Sequence, residues 1–268
     1  MTKIIQISDT HIIPEGGLAY GKVDTAAALA ATVETINRML PVIGPVDMVI
    51  ATGDLTDAGA DEEYRRFLGI MSSLQVPYRV VPGNHDNPHA MRRSFTDCSW
   101  ISSNGPVNWI ADFADFCLIG LDSQVERKSY GQLSEETLVF LANALSELGD
   151  KPALVALHHP PFETGIDAMD SQNLMESASL KRILNAHPGE VRLICGHLHR
   201  SVTAMFGGVM CQIAPGTSHA VTLNQIHGAS NSLTMEPGAF MLHEWRNGFV
   251  SHNIPVGRFD GPYPFATA

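Results

Sequence analysis

The 268-residue sequence is poor in cysteine and in positive charge. Its four cysteines stand apart and form no CxxC pair, which excludes a zinc knuckle. Lysine and arginine total 17 against 28 aspartates and glutamates, a formal net charge of -11, and the basic residues form no cluster. Because nucleic-acid-binding proteins carry a basic face, we expect no long nucleic acid among the partners.

Long apolar runs and a leader pattern are also missing. No run approaches the roughly 20 residues that a membrane-spanning helix requires, so no membrane partner is expected. No signal peptide is visible, because the first strand already leads into candidate site residues at position 9. These absences predict a soluble, cytoplasmic protein. With 44% hydrophobic residues, the chain still has enough apolar side chains for a full core.

The first third of the chain alternates between strand and helix patterns. A β-branched run at 3–8 predicts a buried strand, and apolar residues at helical spacing predict a helix at 24–40, ended by Pro41. Strand, helix and strand patterns follow at 47–52, 61–74 and 78–81. This order predicts an α/β protein with parallel strands joined by right-handed crossovers.

The later part of the chain predicts a second sheet. Residues 107–111 and 116–121 form a hairpin pattern, and Ser134 is a predicted N-cap for the helix that follows. The remaining predicted elements are a helix at 175–186 and strands at 153–157, 191–195, 209–213, 239–244 and 249–254.

The polar segment 221–238 interrupts this pattern and predicts a cap or an oligomer contact. It divides the chain into a core at 1–220, the excursion itself, and return strands with a tail at 239–268. We therefore expect the protein to form a homo-oligomer through this segment.

Five apolar runs are followed by residues that bind metals. Because open α/β sheets place their chemistry at strand ends, we expect these five stretches to converge. Mixed oxygen and imidazole ligands suit divalent ions of borderline hardness, and two such ions need a carboxylate between them. The stretches are Asp9-Thr10-His11, Gly53-Asp54, Gly83-Asn84-His85-Asp86, His158-His159 and Gly196-His197-Leu198-His199.

These stretches contain enough candidate ligands to bind two metal ions. One ion would take Asp9, His11 and His199, and the other would take Asn84, His158 and His197, with Asp54 as the bridge. Any one of these histidines alone would more often be an ordinary core or surface residue. The five stretches together reverse that expectation.

In this order the five stretches resemble the pattern of the binuclear metallophosphoesterases, the calcineurin-like phosphoesterase family. Within the family the chain is similar to bacterial glycerophosphodiesterases and class III cyclic-nucleotide phosphodiesterases. The carrying features are Ile7-Ser8-Asp9-Thr10-His11, Leu18-Ala19-Tyr20-Gly21, His158-His159-Pro160-Pro161 and Pro215-Gly216-Thr217-Ser218-His219. The resemblance implies a four-layer αββα sandwich of two mixed sheets. It also implies two divalent ions, for which Fe, Mn, Zn and Co all remain open.

The implied activity is hydrolysis of small phosphodiesters, either glycerophosphodiesters or 3',5'-cyclic nucleotides, by in-line attack of a metal-bridging hydroxide. His85 should face the phosphate and stabilise the transition state or donate a proton to the leaving group, and Asp86 should orient His85. Asn84, His219 and Tyr20 are expected to contact the substrate.

Several alternatives stay open at this point. A phosphomonoesterase or a nuclease of the same family is compatible with the same ligands. A metal-free protein-binding scaffold is disfavoured, because a donor stands at each of the seven expected positions. Asp57 is interpreted as a turn or cap residue, and His159 as a structural residue behind the ligands.

Overall fold

The computed structural model describes residues 1–265. Within that range no helix combines the length and the apolar content that crossing a membrane requires. The helices are α1 (Thr25–Ile43), α2 (Asp61–Met71), α3 (Pro88–Ser94), α4 (Glu135–Leu148), α5 (Asp167–Asp170) and α6 (Ala178–Ala186). The strands are β1 (Lys3–Ile7), β2 (Met48–Thr52), β3 (Tyr78–Val81), β4 (Trp109–Asp112), β5 (Cys117–Gly120), β6 (Ala153–Ala156), β7 (Val191–Cys195), β8 (Val202–Phe206), β9 (Val209–Ile213), β10 (Ala220–Val221), β11 (Leu233–Thr234), β12 (Ala239–Trp245) and β13 (Phe249–Pro255).

The strands form two mixed sheets and one short hairpin. The first sheet has the order β13-β12-β1-β2-β3, with β1, β2 and β3 parallel and the two late strands added antiparallel. The second sheet has the order β4-β5-β6-β7-β9-β8, parallel at its centre and antiparallel at both edges. The parallel order of β1, β2 and β3 is the one that the alternation of strand and helix predicts.

Side-chain alternation in the second sheet defines the layers. Leu118, Leu154 and Ile194 are buried in the cluster that the first sheet and α1 to α3 also fill, so one face of the second sheet packs on the first. Ile119 and Val155, one residue further along each strand, are buried instead with residues of α4 and α6. Successive residues of a strand point to opposite faces, so the arrangement is helices, sheet, sheet, helices. The predicted αββα sandwich is confirmed.

Some element boundaries differ from the prediction. Helix α1 does not stop before Pro41 but continues to Ile43, where the Gly44 amide donates to the Leu40 carbonyl at 2.8 Å. Pro41 cannot donate to the Asn37 carbonyl, and the helix ends two residues later, at Ile43. Strand β8 escaped prediction because it is an edge strand with exposed alternate residues, and α3 because it spans only seven residues.

The segment 221–238 carries the short hairpin of β10 and β11. Its loop folds back toward α5, where the Gly228 amide donates to Asp167 Oδ2 at 3.0 Å. The side chains of Thr222 and Thr234 are joined by a 2.7 Å hydrogen bond across the base of the hairpin. The excursion is therefore a folded arm rather than an unstructured insertion.

Candidate metal centre

The seven predicted donors meet between the carboxyl ends of the two sheets. In the first sheet, Asp9 and His11 follow β1, Asp54 follows β2 and Asn84 follows β3. In the second sheet, His158 follows β6, and His197 and His199 follow β7. Six of the seven side chains are buried, and Asn84 is half-buried.

The donor atoms form two groups. In the first, His11 Nε2 lies 3.1 Å from His199 Nε2, and His199 Nε2 lies 3.6 Å from Asp9 Oδ1. In the second, His158 Nε2 lies 3.2 Å from Asn84 Oδ1 and 3.3 Å from His197 Nδ1. Neighbouring ligands bound about 2.0–2.2 Å from one ion lie roughly 2.8–3.6 Å apart, and these spacings match that requirement.

Asp54 lies between the two groups. Its Oδ2 atom is 3.5 Å from His11 Nε2 and 3.2 Å from His158 Nε2. Its other oxygen, Oδ1, accepts a 2.9 Å hydrogen bond from the backbone amide of His85. One carboxylate oxygen is thus anchored while the other faces both donor groups, as a bridging ligand must.

The backbone at the donors is strained. Asp9, His11, Asp54, His197 and His199 have positive φ angles of 56°, 41°, 50°, 77° and 51°. Such a conformation costs a residue other than glycine about 1–3 kcal/mol and persists where the surrounding structure enforces it. Five strained residues in one cluster indicate that the loops are built to aim these side chains.

Glycines beside the donors permit the close approach of the loops. A Cβ atom on Gly196 would lie 2.1 Å from Ser8 Oγ, and one on Gly83 would lie 2.2 Å from Asp54 Oδ1. A larger residue at Gly196 would push the ends of the two sheets apart, and one at Gly83 would push apart the loops after β2 and β3.

The donor set fits a divalent cation. Asp9 Oδ2 is buried with no hydrogen-bond partner among the described residues, and a buried carboxylate oxygen in that state is costly. The Nε2 lone pairs of His11 and His199 also point at each other at 3.1 Å, where a cation between them would satisfy both. Two buried carboxylates with several imidazoles are ligands that Zn, Fe, Mn and Co accept.

Electrostatics in the cluster favour a positive charge. Burial raises the pKa of Asp9 to about 6, against the opposing effect of His158. Burial also disfavours charge on Asp54, but His158 and further histidines together hold its pKa well below its usual value. Burial opposes a charge on His158 as well, yet Asp54 and Asp9 raise its pKa to about 9. A proton on His158 compensates the carboxylates here, and a metal ion would compete with that proton.

Outer contacts set the histidine tautomers. His158 Nδ1 donates to the Thr52 carbonyl at 2.8 Å, and His11 Nδ1 donates to Asp57 Oδ1 at 3.2 Å. Both Nε2 atoms therefore face the centre, where a metal ion would replace any proton they carry. His199 Nδ1 lies 3.1 Å from His219 Nε2. If His199 binds a metal ion through Nε2, its Nδ1 carries the ring proton and donates a hydrogen bond to His219 Nε2.

Asp57 is the residue that the sequence interpretation missed. The Asp57 carboxylate accepts a hydrogen bond from His11 Nδ1, and the Asp57 backbone carbonyl accepts one from His85 Nδ1 at 2.7 Å. Asp57 therefore connects a predicted metal ligand to the predicted catalytic histidine. The sequence did contain a signal for Asp57, because it stands three residues after the predicted ligand Asp54 on the same loop.

The predicted contact between Asp86 and His85 is wrong. Within residues 1–265 the Asp86 carboxylate makes no hydrogen bond to the His85 ring. It accepts from the Gly83 amide at 2.9 Å, the Leu55 amide at 3.1 Å and the Tyr64 hydroxyl at 3.0 Å. Asp86 therefore ties together the loops after β2 and β3, and the Asp57 carbonyl orients His85.

His159 lies behind the donors. Its Nδ1 is 2.8 Å from Ser123 Oγ, and its buried ring packs 4.9 Å from that of His197. Burial and the neighbouring His158 and His197 hold its pKa well below its usual value. The sequence interpretation placed His159 in this supporting position.

A buried glutamine braces the two sheets directly behind the centre. Gln6 Nε2 donates to Thr52 Oγ1 at 2.9 Å in the first sheet and to the Cys195 carbonyl at 2.8 Å in the second. Its Oε1 lies 3.0 Å from His243 Nε2. Gln6 therefore couples the strands that carry Asp54 and His197.

The donors open into a cavity of about 280 Å³, which we call cavity A. On the side facing the donors its wall includes Asn84 and His85. The other side is formed by Tyr20, Met169, Gln172, His219, Val221, Asn231, Ser232 and Leu233. Both predicted substrate contacts, Tyr20 and His219, thus lie at the cavity, and so does the excursion.

Comparisons with known proteins agree with this arrangement. The sequence profile of the calcineurin-like phosphoesterase family matches residues 2–201. The probable glycerophosphodiester phosphodiesterase GpdQ of Arcobacter nitrofigilis is 40% identical over 265 residues, covering 98% of this chain and 96% of that protein. The 3',5'-cyclic adenosine monophosphate phosphodiesterase CpdA of Pseudomonas aeruginosa is 30% identical over 214 residues, covering 80% and 75%.

Among solved structures, a dimetal phosphatase from Danio rerio covers 96% of both chains with a TM-score of 0.70 at 14% identity, which is a likeness of fold. The chain belongs to the calcineurin-like phosphoesterase family, so the predicted resemblance is confirmed.

Proposed function

We propose that this phosphoesterase hydrolyses small phosphodiesters at the cluster of seven donors, with two divalent ions bound there. The observation that carries the proposal is the position of Asp54 Oδ2, within 3.5 Å of a donor nitrogen in each of the two groups. The relative from Arcobacter nitrofigilis, named as a probable glycerophosphodiester phosphodiesterase, supports glycerophosphodiesters as the substrate class.

The proposed ligand sets follow the two groups. Asp9, His11 and His199 would hold one ion; Asn84, His158 and His197 would hold the other; and Asp54 would serve both. Such ions supply electrostatic stabilisation of phosphate charge and an acidified water near neutral pH. Asn84 contributes a neutral amide, so its side of the centre would hold an ion less firmly than the carboxylate side.

We propose His85 as the group that assists the leaving alcohol. Its Nδ1 proton is held by the Asp57 carbonyl, so Nε2 is the atom available to the substrate. His85 is half-buried and lines cavity A next to Asn84. From there it would stabilise charge on the leaving oxygen or donate a proton to it.

The remaining proposed substrate contacts are His219 and Tyr20. Their rings lie 5.5 Å apart at the mouth of cavity A, edge to face. Burial lowers the pKa of His219 to about 4, so it would meet the substrate as a neutral ring and hydrogen-bonding group. Asp86 we propose as a positioning residue that holds the loop of Asn84 and His85.

A second candidate substrate is a 3',5'-cyclic nucleotide. The relative from Pseudomonas aeruginosa, named for that activity, is 30% identical over 80% of this chain and supports it. Because the net charge is -11, a long nucleic acid remains disfavoured.

The test is a substrate panel after removal of bound metal and reloading with Mn, Zn or Co. We expect glycerophosphodiesters to be cleaved faster than monoesters, and Asp54→Ala to be inactive with every metal. Equal turnover of the chelated and reloaded protein would overturn the proposal, and so would a preference for monoesters.

We further propose that segment 221–238 is a cap over cavity A and a contact between copies in a cytoplasmic homo-oligomer. Asn231 and Leu233 line the cavity, while Leu223, Ile226 and Met235 are 58%, 73% and 59% exposed. Size-exclusion chromatography with light scattering, applied to wild type and to a triple serine variant of those three residues, tests it. A monomeric wild-type protein would contradict it.

A further inference from the structure

A second cavity of about 490 Å³, which we call cavity B, borders His85 and is lined by none of the six buried donors. Cavities A and B share Asn84 and His85 in their walls. Of the seven donors, Asn84 is the one that reaches cavity B within the described residues. The remaining wall is partly apolar, and its polar side chains include Asp122, Gln124, Glu126, Arg127, Gln132 and Thr137.

The wall of cavity B is held in place by its own hydrogen bonds. Asp122 accepts from the backbone amides of Val107 at 3.0 Å and Gln124 at 2.9 Å. The Thr137 hydroxyl accepts from the Asn108 side chain at 3.1 Å. A pocket with fixed polar groups at Asp122 and Thr137, and a volume within the roughly 300–1,000 Å³ of ligand sites, is suited to a small group that carries hydroxyls.

We propose that cavity B is the subsite for the leaving alcohol of an acyclic phosphodiester, while cavity A holds the phosphate and the retained alcohol; this inference rests on the proposed function. In phosphoryl transfer the attacking and leaving oxygens lie roughly in line on opposite sides of phosphorus. An attacking water at the donor cluster therefore directs the leaving oxygen away from it, toward His85 and cavity B.

The bonding changes balance across the two cavities. The bond from the water oxygen to phosphorus forms, and the bond from phosphorus to the leaving oxygen breaks. His85 passes a proton from Nε2 to the departing oxygen, and the proton released by the attacking water replaces it through solvent. The products are a phosphomonoester in cavity A and a free alcohol in cavity B.

The charge at cavity B selects the kind of alcohol. The wall contains three carboxyl side chains, Asp86, Asp122 and Glu126, and one arginine, Arg127, which lies 3.5 Å from Glu126. The balance is acidic, so a neutral polyhydroxyl or a cationic amino alcohol is matched and an anionic one is repelled. A 3',5'-cyclic diester carries both ester oxygens on one sugar, so its leaving oxygen stays tethered to the group in cavity A. Filling cavity B should therefore harm acyclic diesters and spare cyclic ones.

The experiment fills each cavity with the same substitution. Gln132 in cavity B and Gln172 in cavity A are both half-buried glutamines with one side-chain hydrogen bond of 2.8 Å, to Glu176 and to the Ala168 carbonyl. Metal-loaded Gln132→Trp and Gln172→Trp are compared on glycerophosphoethanolamine and on 3',5'-cyclic AMP. We expect Gln132→Trp to lower kcat/KM for the acyclic diester at least about tenfold relative to the cyclic one, mainly through KM, and Gln172→Trp to lower both.

A charge substitution gives a second measurement that does not depend on filling the cavity with a larger side chain. Glu126→Lys should raise KM for glycerophosphoethanolamine, and Glu147→Lys, an equal charge change on the exposed face of α4, should leave it unchanged. An active enzyme in which Gln132→Trp affects both diesters alike, or neither, overturns the subsite. A loaded wild-type enzyme that cleaves neither diester overturns the proposed function itself.

Discussion

The two sheets contribute different chemistry to the same centre. The first sheet supplies both carboxylates, Asp9 and Asp54, while the loops after β6 and β7 of the second supply imidazoles. The negative charge therefore comes from one side, whereas neutral donors come from both. Neither side alone assembles a complete set of ligands, so metal binding and the packing of the two sheets should be coupled.

The largest effect should come from removing the residue that serves both halves. Asp54→Ala deletes the oxygen between the two donor groups and leaves His158 without its strongest partner. We expect activity to fall at least about a thousandfold, with loss of bound metal measured by elemental analysis, because even outer-sphere changes cost 10- to 100-fold. Turnover like that of wild type would rule out a bridging role.

The second largest effect on activity should come from His85, which belongs to neither ligand group. His85→Ala should reduce kcat about 10²- to 10³-fold, the usual cost of one group that stabilises transition-state charge. Metal content should be unchanged, which elemental analysis of the same preparation checks. Lost metal would make His85 a ligand instead.

Asn84→Ala separates the two donor groups. It removes a neutral oxygen from the second group and leaves the first intact, so one ion should weaken by about 10- to 100-fold and the other little. Titration with Mn followed by electron paramagnetic resonance resolves the two. Equal weakening of both would count against the assignment.

Gln6→Met tests the brace between the halves with a side chain of similar length. It removes the amide that donates to the buried Thr52 hydroxyl and the acceptor of His243 Nε2, while the Cys195 carbonyl keeps the Ala214 amide at 2.9 Å. We therefore expect a loss of about 1–3 kcal/mol in the free energy of unfolding. Metal affinity should fall too, and calorimetric titration of the folded variant measures it. An unaltered affinity would mean that the brace does not set the spacing of the donors.

The smallest effect concerns pH. Burial, and secondarily Arg192, lowers the pKa of His243 to about 3, so this ring is neutral when folded. The unfolded chain binds its proton below pH 6.5, so stability should fall with decreasing pH at up to about 1.4 kcal/mol per unit between those values. Urea unfolding of the chelated protein at pH 7 and pH 5 should show a shallower loss for His243→Gln. A loss as steep as that of wild type would exclude His243.

Local sequence patterns were sufficient to predict most of the helices and strands and the candidate metal ligands. Apolar runs followed by Asp9, Asp54 and His197 identify strand ends, because β-branched periodicity and turn residues act over a few positions. The five stretches together were also sufficient for the family. The exact end of α1 was not, since the residue before a proline is a frequent but not an obligatory helix end.

The sequence by itself determined which strands end in metal-binding side chains and that they are acidic on one sheet and imidazole-rich on the other. Only the tertiary structure decided that Asp57 rather than Asp86 contacts His85, that Gln6 joins the sheets, and that two cavities meet at His85. Those facts depend on how far apart two packed sheets hold their loops. Such a distance is set by contacts between residues remote in the chain, which no local spacing records.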